Sequence, residues 1–198
     1  MSLEPVEAVS DRPRPTPGFR DAGVLVLLYV ENEVLRFPLT LRPETLSHHG
    51  GQLALPGGGV EPHDADIVET ALRETREEIG VCRCGLEVLG GLDSVRVSVS
   101  GYRIVPFVAV SASPPALQID PAEVAEIVLV PVPALLDPGY VHVEEWDLPQ
   151  RRRAVCLYRF DGHAVWGATA RILYDLALRL GGPALAPAPG SVLPIPKS

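Results

Sequence analysis

Glu74, Glu77 and Glu78 fall within the run Thr70-Ala-Leu-Arg-Glu-Thr-Arg-Glu-Glu-Ile-Gly80. On a helix advancing about 100° per residue, Glu74 and Glu78 lie about 40° apart, with Glu77 about 60° to the other side. Three carboxylates therefore share one stripe. Like charges at these spacings repel and destabilise a helix. A hard divalent cation such as Mg2+ would relieve that repulsion, because it takes carboxylate oxygens while keeping positions for water and phosphate oxygens. The chemistry open to such a cluster is displacement at phosphorus, in which the ion balances phosphate charge and makes a water more acidic. The competing reading is a solvated acidic face, with Arg73 pairing Glu77 one turn on. Two features favour the ion: the charges crowd one face, and Gly57-Gly-Gly59 precedes them. Consecutive glycines permit close backbone approach and turn geometries closed to other residues.

The elements that must position these groups follow from the pattern. Ala22 to Val30 is an almost unbroken apolar run and predicts a buried strand, with Glu31-Asn-Glu33 turning into a second strand over Val34 to Leu41. Pro56 and the glycines break the chain. Asp64 or Asp66 can cap a helix running to about Ile79, and Gly80 occupies the position that helix C-termini favour. Strands are expected at about 86–92, 102–110 and 124–131, a short helical turn near 133–136, and a strand pair at 141–145 and 154–160. A last amphipathic helix over about 168–180 places Ile172, Leu173, Leu176 and Leu180 on one face. Strands interleaved irregularly with two helices describe an α/β sandwich with a mixed sheet.

Composition bounds the partners. The 198 residues are 46% hydrophobic and 21% charged, which suits one domain with a sizeable core. A net charge of −8 argues against sequence-independent nucleic-acid binding, which needs many cations to displace phosphate counterions. The prolines in Arg12-Pro-Arg-Pro-Thr-Pro-Gly18, and again from Gly181 onward, delimit a domain at 21–181 between a Pro-rich tail at 1–20 and a Pro/Ala-rich tail at 182–198. The first twenty residues carry Glu4, Glu7 and Asp11 and do not read as a signal peptide. No apolar run reaches about 18 residues, so no membrane partner is expected and the cytoplasm is the default address. Cys82, Cys84 and Cys156 are an odd count without a zinc-ligand pattern and read as free thiols.

Arg73-Glu74-X-X-Glu77-Glu78-X-Gly80, following Gly58, resembles the signature of the Nudix hydrolases. Asp64 stands where the family usually has Glu, with one extra residue before Arg73, which leaves the partner of Arg73 open. Thr75 replaces the usual aliphatic residue. A second resemblance, to the coenzyme A diphosphatase branch, rests on Leu39-Thr-X-Arg42, His49-X-Gly51-Gln52, Leu55-Pro-Gly-Gly58 and Thr70-Ala-Leu-Arg-Glu74, with further matches at Ser100 to Pro106 and Trp166 to Ile172. Pro43 stands where that branch usually has Ser.

The resemblance implies a Nudix-type α/β/α sandwich around a mixed β-sheet. It implies hydrolysis of coenzyme A or its derivatives to 4′-phosphopantetheine and adenosine 3′,5′-bisphosphate, with Mg2+ or Mn2+ as cofactor. Glu74 and Glu78 are then the principal metal ligands, Glu77 an additional one, and Gly58 a carbonyl ligand. Arg73 orients the glutamates, and Arg42, His49 and Gln52 bind the substrate. The general base is a motif glutamate or a later acid, Glu123 or Glu126. A small-molecule nucleotide is the expected partner, and a homodimer would be ordinary. A hydrolase for another nucleoside diphosphate derivative, or a binding module without activity, are the alternatives.

Overall fold

The structure is a computed structural model in which residues 18–44, 51–148 and 151–183 are described, residues 147–148 and 151–153 by backbone alone. Nearly all of both expected tails, and His49, lie outside the described residues.

Strand β1 (Arg20–Glu31) is the axis of the fold. It turns into β2 (Val34–Leu41) through Asn32 and Glu33, both at positive φ (50° and 64°), and the two strands pair antiparallel. On its other side β1 runs parallel to β7 (Tyr102–Ser111), Arg20 opposite Tyr102 and Leu28 opposite Val110. Short strands β3 (Leu53–Ala54) and β4 (Gly57–Gly59) pair with β2 and β1. Strands β5 (Leu86–Gly91) and β6 (Val95–Val97) both pair with β7, and β8 (Glu126–Pro131) pairs with β2. The result is one eight-stranded mixed sheet. Strands β9 (Val141–Leu148), β10 (Arg151–Phe160) and β11 (His163–Val165) form a separate antiparallel sheet of order β11-β10-β9.

Alternation along β1 divides the core. Successive side chains of a strand point to opposite faces, so Leu25, Leu27 and Tyr29 face helix α1 (Ile67–Ile79), packing with Ile67, Ala71, Leu72 and Ile79. Val26 and Leu28 face the opposite way. They pack with Phe37, Leu39 and the buried stripe Ile172, Leu173, Leu176 of the last helix, α3 (Gly167–Arg179), which follows the short α2 (Val132–Leu136). Because both faces of β1 are covered, its sequence reads as a continuous apolar run. The α/β/α arrangement with a mixed sheet is the one expected.

Helix α1 seats closely on β1 because residue 23 is glycine. A Cβ there would overlap the Ile67 carbonyl and approach the Ala71 amide to 3.0 Å. Between the two acids that can cap this helix, the structure uses Asp66, whose carboxylate accepts from the Glu69 amide at 2.9 Å. Gly80 closes the other end at φ 75°, its amide donating to the Arg76 carbonyl. Strand boundaries differ from expectation at the eighth strand, which begins at Glu126. Val124 is fully buried but belongs to the preceding turn, its amide donating to the Asp120 carbonyl. They differ too in the β9–β10 pair, where β9 runs on to Leu148 and β10 starts at Arg151. Strands β3, β4, β6 and β11 are short strands beyond the expected set.

Candidate active site

The glycine run forms strand β4, antiparallel to Ala22–Val24 of β1. Gly57 has φ 153°, and a Cβ there would overlap Gly23 and Val24. A Cβ on Gly58 would fall on the Glu74 carboxylate. The two glycines thus let bare backbone lie between the sheet and the acidic face of α1. The Gly57 amide donates to Glu78 Oε2 at 3.3 Å.

Two of the three helix glutamates turn inward. Glu78 is buried, at 2% exposure, and the Glu74 side chain is nearly so. Glu123 joins them from the loop between β7 and β8, and one oxygen of each carboxylate can be chosen so that all three lie within 4.8 Å of one another. That loop is fastened to the end of α1: the Gln118 amide donates to the Ile79 carbonyl (2.9 Å) and the Asp120 amide to that of Glu78 (3.0 Å). These bonds satisfy carbonyls that a helix C-terminus leaves without partners. Asp120 then shapes the turn, its carboxylate accepting from Ala122 N and its carbonyl from Glu123 N.

The electrostatics of this trio are unfavourable as it stands. Burial, with the charges of Glu74 and Glu123 added, pushes Glu78 up to about 8, against the opposing Gly57 amide and Arg42. Burial raises Glu74 as well. Carboxylates this close ionise together only with a compensating positive charge. A divalent cation meets that need, and three carboxylate oxygens beside an open backbone strand are the donor set such an ion takes. Glu74, Glu78 and Glu123 are therefore the residues that would hold it.

Arg73 is the organising cation. Its Nε and Nη2 donate to Asp64 at 2.9 and 3.2 Å, its Nη1 donates to Glu74 Oε1 at 2.9 Å and Glu77 Oε2 at 2.7 Å, and Nη2 also donates to the Gly59 carbonyl at 3.2 Å. Asp64 is the partner that the shifted spacing left open. It also accepts from the Thr70 hydroxyl and the Glu61 amide, both at 2.8 Å. The bond from Arg73, ahead of those two, holds its carboxyl down to about 2. The Arg73 guanidinium is raised in turn, chiefly by Asp64.

Glu77 points outward, its side chain about half exposed, and lies outside the three-carboxylate group. The i,i+4 pair with Arg73 and the inward cluster thus coexist on one helix. Arg42, at the end of β2, approaches Glu78 to 3.8 Å. Gln52 faces it across the chain, its carbonyl accepting from the Arg42 amide at 3.1 Å. Glu126, the other later acid, is exposed at the start of β8 and is not among the clustered groups. The side chains of Arg151–Arg153 are not described, and Trp166 packs edge-on against Trp146 with ring centroids 5.1 Å apart. Glu123 is the cluster member that spacing does not reveal, because it reaches the helix through tertiary hydrogen bonds.

Residues 19–153 match the NUDIX domain, and the chain belongs to the Nudix hydrolase family. An uncharacterized Nudix hydrolase, NudL, of Photorhabdus laumondii is 37% identical over 139 residues, covering 70% of this chain and 74% of its own. A NudL of Pectobacterium atrosepticum is 34% identical over 167 residues, covering 84% and 86%. Among solved structures, a MutT/nudix family protein of Enterococcus faecalis shares the fold at a TM-score of 0.52 and 18% identity, covering 89% of this chain and 68% of that one. The chain is thus a hydrolase acting on nucleoside diphosphate derivatives, in a family that uses divalent metal ions. No helix among the described residues is long and apolar enough to cross a membrane.

Proposed function

We propose that this chain hydrolyses the diphosphate bond of coenzyme A or a close derivative, with Mg2+ or Mn2+, adding water to give 4′-phosphopantetheine and adenosine 3′,5′-bisphosphate. The observation that carries this reading is the position of Arg42. Of the residues resembling the coenzyme A diphosphatase branch, Arg42 lies 3.8 Å from Glu78, and Gln52 is bonded to Arg42 through the backbone. His49 lies outside the described residues, and its substrate-binding role rests on its sequence context alone.

When bound, the divalent ion supplies positive charge for the diphosphate oxygens and raises the acidity of a water. Glu74, Glu78 and Glu123 would hold the ion, and Glu123, the most exposed of the three, would take the proton of the attacking water. The Gly58 carbonyl would be an additional ligand. Arg73 fixes the Glu74 carboxylate by the 2.9 Å bond. Glu77 serves as a ligand only by giving up its own bond to Arg73, so its resting role is to steady that guanidinium. Arg42 meets charge developing on the phosphoryl oxygens.

The test is a panel of coenzyme A, an acyl derivative, a dinucleotide and a nucleotide sugar, assayed with Mg2+ and with product identification. Coenzyme A compounds should lead in kcat/KM by about tenfold or more. Arg42→Ala and His49→Ala should each raise KM for coenzyme A more than for the dinucleotide. Faster turnover of the dinucleotide or sugar would move the specificity elsewhere, and no turnover of any compound would leave a binding module.

A further inference from the structure

Beyond the end of α1 the chain makes a short 3-10 turn over Arg83–Gly85, with Cys82 as its N-terminal cap. Both Cys82 and Cys84 are exposed and free. The Cys84 amide donates to Cys82 Sγ at 3.3 Å, and the two sulfurs lie 2.6 Å apart, Cys84 Sγ donating to Cys82 Sγ. The turn thus sets the two sulfurs side by side at the surface. A disulfide needs its sulfurs about 2.05 Å apart, so the two sulfurs already stand near bonding distance. Among the described residues no group of three metal-ligating side chains includes this pair, which removes the main competing use of a Cys-X-Cys turn.

We propose that Cys82 and Cys84 are a thiol–disulfide exchange site for low-molecular-weight disulfides, with Cys82 as the attacking sulfur and Cys84 as the resolving one. The hydrogen bonds from the Cys84 thiol and then the Cys84 amide lower the Cys82 thiol below its ordinary range, with a contribution from Arg76, while the same contact raises Cys84. Cys82 is therefore the sulfur that more readily gives up its proton to form the thiolate, the form that reacts. In the first step Cys82 Sγ bonds one sulfur of the small disulfide and the other sulfur leaves as a thiolate. In the second, Cys84 gives up its proton and attacks Cys82 Sγ, releasing the second small thiolate. Both released thiolates take up protons, so two protein thiols are oxidised to one disulfide and one small disulfide is reduced to two thiols.

Cys156 provides an internal contrast. It lies half-buried in β10, where burial raises its thiol, and it should react slowly. The site is independent of the hydrolytic reading, because none of its atoms belongs to the carboxylate cluster.

Arg83 between the two cysteines makes the test direct. The full-length chain is incubated with oxidised glutathione, alkylated, and cut with trypsin, which separates peptide 77–83 from 84–96. The expected product is the two peptides joined, lighter by two hydrogens than their sum, and separated again by dithiothreitol. Cys84→Ser should stop at a glutathione adduct on Cys82, and Cys82→Ser should form its adduct about tenfold more slowly. Separate adducts or free thiols on the two wild-type peptides, with no joined species, would overturn the proposal. Equal adduct rates in the two variants would overturn the assignment of attacking and resolving sulfurs.

Discussion

Replacing Glu78 with Gln should make the metal-free protein more stable while removing its activity. Glu78 is buried and its carboxyl is pushed up to about 8, from an ordinary value of 4.5. A group raised on folding contributes stability that is fully present below its unfolded value and is lost as pH rises through the folded one. Between pH 4.5 and 8 the native carboxyl therefore becomes progressively more costly. At pH 7 the difference is on the order of 3 kcal/mol. The amide need not recover all of this: Arg42 and the Gly57 amide offer its new NH2 only donors, so it must reach the neighbouring Glu74 or Glu123 carboxylate, and a buried donor left unpaired costs about 1 kcal/mol or more. A net gain of about 1–3 kcal/mol remains, or roughly 2–10 °C in melting temperature for a chain of this size. The assay is thermal melting of both proteins at pH 5 and pH 8 with chelator, then with saturating Mg2+. The gap favouring the variant should widen toward pH 8. Mg2+ should raise the wild type more than the variant, and turnover in the variant should fall by about 10³-fold. Equal response to Mg2+, or a variant less stable than wild type at pH 8 in chelator, would refute the argument that this carboxylate is held for an ion.

Asp64 has the opposite sign. Its carboxyl is held down to about 2, so its contribution is present above 3.8 and lost as pH falls through 2. Asp64→Asn should cost about 1–2 kcal/mol at pH 7, allowing for solvent screening, and less at pH 3; urea midpoints at the two values decide it, and a deficit independent of pH would contradict the ion-pair account. Glu123→Gln should lower kcat by about 10²-fold or more while moving stability by less than about 0.5 kcal/mol, because the side chain is exposed. A large fall in melting temperature without loss of turnover would make Glu123 a structural residue. Gly23→Ala should cost about 1–3 kcal/mol by pushing α1 off the sheet, read from the urea midpoint, and an unchanged midpoint would disprove that close seat.

How much of this was legible in the sequence depended on whether the controlling interaction was local. Helix α1 was legible because its cap, its apolar spacing and its terminal glycine lie within fifteen residues of one another. The choice between Asp64 and Asp66 was not, since either acid satisfies a capping rule. It is settled by the Glu61 amide, the Thr70 hydroxyl and Arg73 all converging on Asp64. Strand β4 escaped pattern reading because three glycines carry no alternation, and their pairing is supplied by Ala22–Val24 far away in sequence. Glu123 was available only as one of two later acids; the bonds tying its loop to the carbonyls of Glu78 and Ile79 separate it from Glu126.

The two sides of α1 show why catalytic geometry here should be sensitive to residues that touch no substrate. On one side Arg73 has every hydrogen bond it needs, from Asp64, Glu74, Glu77 and the Gly59 carbonyl. On the other, Glu74, Glu78 and Glu123 stand together in need of a positive charge. Glu74 belongs to both groups, with Oε1 accepting from Arg73 while its carboxylate counts among the clustered three. Loosening Arg73 therefore frees a ligand as well as an ion pair. Asp64→Asn should consequently lower kcat by about tenfold and weaken Mg2+ binding, with KM for the nucleotide little changed. A rise in KM at constant kcat would mean instead that Asp64 and Arg73 act on substrate binding, and that Glu74 keeps its place without them.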